Sequence, residues 1–80
     1  MQITRKEGRI GQPDEYVEYR VKDMAFIAQR GSSYNWFIFQ SEAGPKGAVV
    51  TLDWFYPNQR EEAVKAANCA ALAYQSAVDR

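Results

Sequence analysis

Tyr16-Val17-Glu18-Tyr19-Arg20-Val21-Lys22 is the stretch on which the fold turns. Val17, Tyr19 and Val21 alternate with Glu18, Arg20 and Lys22, the two-residue period of a strand with one buried and one wet face. Met24 to Arg30, its continuation or a second strand, is closed by a turn at Gly31-Ser32-Ser33. Downstream, Tyr34-Asn35-Trp36-Phe37-Ile38-Phe39-Gln40 is β-rich but apolar on both sides: Trp36 and Ile38 point one way, Phe37 and Phe39 the other. Ala48 to Phe55 reads as a further strand. The loop between them, Ser41 to Gly47 with Gly44-Pro45-Lys46-Gly47 at its tip, makes the two antiparallel neighbours.

The last third changes period. Val64, Ala67, Ala71, Tyr74 and Val78 fall on one helical stripe with Ala63, Ala66, Ala70, Ala73 and Ala77 beside it, while Glu61, Glu62, Lys65, Asn68, Gln75, Ser76 and Asp79 take the opposite half. Asn58 is the expected N-cap, with Glu61 placed to reach back to it. Upstream, residues 1–14 are polar and turn-rich, a flexible arm or an edge strand. The expectation is one α+β domain over residues 1–80, with an antiparallel sheet of 3–4 strands across 16–56 and one amphipathic helix over 59–79 packed on one face as a two-layer sandwich.

Composition narrows the chemistry. The chain has 80 residues, ten Lys+Arg against ten Asp+Glu, one cysteine and no histidine. Without histidine, and with Cys69 alone, the common zinc sites, a Cys/His or Ser/His nucleophile pair and an internal disulfide are excluded. No catalytic residue, metal ligand or cofactor is expected. Glu42, Asp53, Glu61 and Glu62 are the carboxylates to weigh. The helix dipole explains Glu61 and Glu62, and Asp53 in an apolar strand reads as a charge that discourages edge-to-edge association. The lysine of the Gly44–Gly47 tip lacks the spacing of a phosphate cradle. Cys69, among alanines, reads as a small buried hydrophobe, and Leu72 falls in the polar half of the helix. No apolar run is long enough to cross a membrane, so a cytoplasmic protein without membrane partners is expected.

The positive signal is aromatic. Tyr34, Trp36, Phe37, Phe39, Trp54, Phe55 and Tyr56 lie within residues 34–56, and one helix covers one sheet face. Leaving three or four such side chains in water forgoes roughly 1.5–3 kcal/mol each. The expected function is therefore a non-catalytic protein-binding module or inhibitor that covers a partner surface or pairs with a second copy. Its anchors are Tyr34, Trp36, Trp54 and Tyr56, and Arg20, Arg30 and Lys46 form a basic rim.

Two resemblances accompany this reading. Three strands followed by a helix opening Asn58-Gln59-Arg60-Glu61-Glu62-Ala63 resembles the arm-site DNA-binding domains of phage integrases and the plant AP2 domains. That resemblance implies a sheet laid in the major groove, with Arg20, Lys22, Arg30 and Lys46 on phosphates or bases. Balanced charge places this second to protein binding. In size and style the chain is also similar to small inhibitors encoded by phages and mobile elements, anti-CRISPR proteins among them.

Overall fold

The computed structural model describes residues 2–43 and 47–79. The chain runs β1 (Thr4–Gly8), β2 (Tyr16–Val21), β3 (Met24–Arg30), a short 3-10 turn (Ser32–Tyr34), β4 (Trp36–Glu42), β5 (Val49–Phe55) and α1 (Arg60–Val78). The strands form one antiparallel meander in the order β1-β2-β3-β4-β5. The architecture is the expected helix-on-sheet layout, with five strands rather than 3–4. Met24–Arg30 is a separate strand, turned back by Lys22-Asp23 with Lys22 at φ 53°. The additional β1 carries no large apolar residue. It is held by its ladder to β2 and by Arg5, whose Nε donates to the Tyr19 hydroxyl at 3.1 Å, while Ile3 just before it packs on the core.

Register fixes the two faces. Val17, Ala28 and Ile38 are cross-strand neighbours in one row, as are Tyr19 and Phe26, Val21 and Met24, and Arg30 and Trp36. These rows face the helix, which presents Ala63, Ala67 and Ala71, all fully buried. Three small side chains at four-residue spacing bring the helix axis close to the sheet. Phe26 and Tyr74 then meet with ring centroids 5.6 Å apart. The helix lies over β2, β3 and β4, with less contact to β5.

Three local expectations change. The helix starts at Arg60 with Gln59 at the cap position, and no side chain caps it. Gln59 Oε1 instead accepts the Tyr56 amide at 2.9 Å, drawing the chain into a turn between β5 and α1. Cys69 is exposed, because the buried stripe runs through Ala63, Ala67 and Ala71 and leaves position 69 on the solvent side. Ala73, Ala77 and Val78 are exposed as well, so the buried apolar face ends about a turn before the helix does.

Candidate functional site

On the side of the sheet opposite α1, the alternate residues of each strand line up. They are Thr4 and Lys6 on β1, Tyr16, Glu18 and Arg20 on β2, Ala25, Ile27 and Gln29 on β3, Phe37 and Phe39 on β4, and Thr51 and Trp54 on β5. The face is divided. Its β1–β2 part is charged, and its β3–β5 part is apolar. Phe37 and Phe39 stack at 6.2 Å between centroids, and Trp54 meets Tyr56 edge-on at 5.0 Å. Cross-strand pairing sets Phe37 directly beside Trp54.

Glycine seats two of the rings. A Cβ at Gly31 would stand 2.9 Å from the Phe37 ring, and one at Gly8 would stand 2.8 Å from the Tyr16 hydroxyl. Both rings approach the backbone at positions where a side chain would have to push them away. Phe37 and Phe39 are half-buried, whereas Trp54 and Tyr56 are 49% and 58% exposed.

The expected site residues separate into groups. Trp54 and Tyr56 are together on this face. Trp36 is not: it is 0% exposed, in the core row beneath α1, and is corrected from an anchor to a core residue. The reason lies in the alternation, since Trp36 shares its side with Ile38 and that side pairs in register with Ala28 and Val17. Arg30 is not a rim charge on the aromatic face. Its guanidinium lies 4.5 Å from the Trp36 ring centroid on the helix side, and its Nη1 donates to the Tyr34 carbonyl at 3.3 Å. Arg20 is on the aromatic side but in the charged half, 3.4 Å from Glu18. Lys46 lies outside the described residues. Tyr34 is exposed in the turn before β4, with Ser33 and Tyr34 both at positive φ (58° and 61°), a backbone state that bulky residues rarely adopt.

A second cluster closes the helix side. Glu15 is buried, and its Oε2 accepts from Arg60 Nε at 2.9 Å while its Oε1 accepts the Gly11 amide at 3.2 Å. The Glu15 carbonyl also accepts the Arg30 amide at 2.8 Å. Desolvation pushes the Glu15 carboxyl up, but the Arg60 hydrogen bond, the Gly11 amide and the nearby Arg30 charge together hold it below its ordinary value. Arg60 is the first residue of α1, so this pair clamps the start of the helix to the segment entering β2. The Arg60 guanidinium lies 5.9 Å from the Trp36 ring centroid, and Trp36 Nε1, buried there, has no hydrogen-bond partner among the described residues. The cluster reads as structural, joining helix, loop and core.

Among the described residues no surface cavity opens, and no three Asp, Glu or Cys side chains converge as a metal-binding group. None of the helices described is long and apolar enough to cross a membrane. Phe37, Phe39 and Ile27 belong to the face although they were not among the expected anchors. The signal for Phe37 and Phe39 is in the alternation of β4, and Ile27 joins them through the β3–β4 register. Comparison with protein-family models, curated proteins and solved structures finds no match to this chain.

Proposed function

We propose that the protein is a non-catalytic protein-binding module whose working surface is the β3–β5 part of the helix-free face: Ile27, Phe37, Phe39, Trp54 and Tyr56. The observation that supports it most is the Trp54–Tyr56 pair, two large rings half in water beside a stacked phenylalanine pair on a sheet face that no other described element covers. Contiguous exposed aromatics rimmed by charge are the composition of an interface centre, where rings supply area with few rotatable bonds. Glu18, Arg20 and Lys6 on the adjoining strands would form the polar rim. The partner is a protein with an apolar patch, because a face with no deep pocket recognises by area.

The sheet-in-groove alternative draws less support from the geometry. Arg20 is paired with Glu18 at 3.4 Å, and Arg30 sits on the helix side against Trp36, so Lys6 and Arg20 are the cations that the described strands place on the open face. Duplex binding that weakens steeply with added salt would favour it.

Photo-crosslinking from the face tests the main reading. A benzophenone side chain at position 54, compared with one at the exposed helix position 73, is expressed in the source cells. The expected result is a discrete protein adduct from 54 that is absent from 73 and is lost on Tyr56→Ala. Equal labelling from both positions, or none from 54, overturns the reading.

A further inference from the structure

The two edges of the sheet are treated differently. At β1, Arg5, Lys6 and Glu7 stud the outer strand, the usual protection of an exposed edge. At β5 the sequence is Val-Val-Thr-Leu-Asp-Trp-Phe, and Val49, Val50, Leu52 and Trp54 are 45–64% exposed. Asp53 is the lone charge of that strand.

The hydrogen-bond pattern shows which part of this edge is open. Glu42 N–H donates to the Ala48 carbonyl at 3.0 Å. Antiparallel ladders alternate bonded and non-bonded pairs. Gln40·Val50 is thus the next pair bonded within the sheet, and the amides and carbonyls of Val49 and Thr51 face outward. Beyond Thr51 the register shifts, Ile38 standing opposite Asp53 and Phe39 opposite Thr51, so Leu52 is an inserted bulge residue. Past the bulge, the Trp54 amide is taken by Asp53 Oδ1 at 2.8 Å. The upper half of the edge is closed by a bulge and a carboxylate, and among the described residues the lower half is open.

We propose that a second copy of this chain occupies that lower half, β5 pairing antiparallel with β5 about a two-fold axis at Val50. Val49 then bonds Thr51 of the other copy and Thr51 bonds its Val49, which satisfies the outward groups of both residues on both strands. Val50 faces Val50 in a non-bonded pair, the closer of the two pair types. The two Asp53 carboxylates lie six residues out of register, about 20 Å apart, so the one charge of the strand does not oppose itself. A β5–β5 contact also closes, whereas β5 on β1 would propagate as a filament, and the charges of β1 oppose that.

The occupant is fixed by the ladder and the charge pattern, and the area sets its strength. On the paired half, Val49 and Val50 present roughly 200 Å² per copy, and with Thr51 and strand backbone the total stays below the roughly 1,200 Å² of a standard specific interface. The dimer is therefore reversible on dilution. Its axis is perpendicular to the sheet, so both helices lie on one side and both aromatic faces on the other. The pairing uses the strand edge and leaves the face of the proposed function open, and the two readings fail independently.

The test is light scattering after size exclusion across a concentration series, with charge exchange at position 50. The wild type is expected to approach twice its 9.1 kDa mass at high concentration and to fall toward one copy on dilution. Val50→Lys and Val50→Glu, both at a half-exposed site, are each expected to stay at one copy with unchanged circular dichroism, and their equimolar mixture to recover the double mass. A wild type that stays at one copy at every concentration overturns the proposal, and so does a dimer unaffected by either variant. Photo-adducts from position 54 with a protein other than a second copy would survive either failure.

Discussion

Glu15→Gln isolates what the buried carboxylate contributes by its charge, because the amide keeps the shape and one acceptor oxygen. In the wild type the carboxylate accepts from Arg60 at 2.9 Å and from Gly11 at 3.2 Å, with its side chain 6% exposed and that of Arg60 40% exposed. A hydrogen bond to a charged group contributes about 1.5–3 kcal/mol. The open side of Arg60 lets water screen part of this, so a loss of about 1–2 kcal/mol at pH 7 is expected. The pH dependence gives the sharper test. Glu15 is held below its ordinary value in the folded state, so its stabilisation is fully present above the unfolded value of about 4.3 and is lost as pH falls through the lower folded value. Urea unfolding followed by circular dichroism would then show a gap between wild type and Glu15→Gln that is constant from pH 7 to about 5 and narrows steadily below 4. An Arg60→Met background should reduce the gap at pH 7. A gap that keeps its size at acid pH would refute the reasoning, since the cost would then be one of shape and not of charge.

The two tryptophans should part company under truncation: Trp36→Ala costs about 3–5 kcal/mol and leaves little folded protein, while Trp36→Phe costs less because it also removes the unpaired indole N–H. Trp54→Ala, at the half-exposed position, costs about 1 kcal/mol in the same urea titration and halves the tryptophan fluorescence without shifting the Trp36 emission maximum. Gly31→Ala forces the Phe37 ring away from a contact of 2.9 Å and should cost about 1–3 kcal/mol, read as a lower melting temperature that Phe37→Leu partly restores. Cys69 should react with an aromatic disulfide reagent in native buffer as fast as in denaturant, and strong protection would return it to the interior.

The layout was legible from period alone. Alternation in residues 16–22 gave β2 its buried side, and the alanine stripe gave the helix its contact face, because both patterns are set by backbone geometry that neighbours do not change. β1 was ambiguous for a physical reason: Thr4–Gly8 has no apolar side, and its place is set by the ladder and by Arg5 reaching Tyr19. The same limit governed the site. That Trp36 and Phe37 point to opposite sides follows from β4 itself, but which side the helix covers follows from the row Val17, Ala28 and Ile38, a property of three strands at once. Thus Trp54 and Tyr56 are recognisable as surface rings from the sequence, while the burial of Trp36 and the helix-side place of Arg30 follow only from the register. The Glu15–Arg60 clamp joins positions 45 apart in the chain, and nothing local announces it.

A meander that pairs every strand with its sequence neighbour closes only short loops, so the sheet can assemble by successive local hairpins. Its cover arrives later, since α1 ends 23 residues after β5, at Val78 against Phe55. Between the pairing of the strands and the docking of α1 the sheet stands without its cover. Over that interval Val17, Phe26, Trp36 and Ile38 are as bare as Phe37 and Trp54. Docking of α1, and not strand pairing, is thus the step that ends the exposure of the chain's aggregation-prone surface.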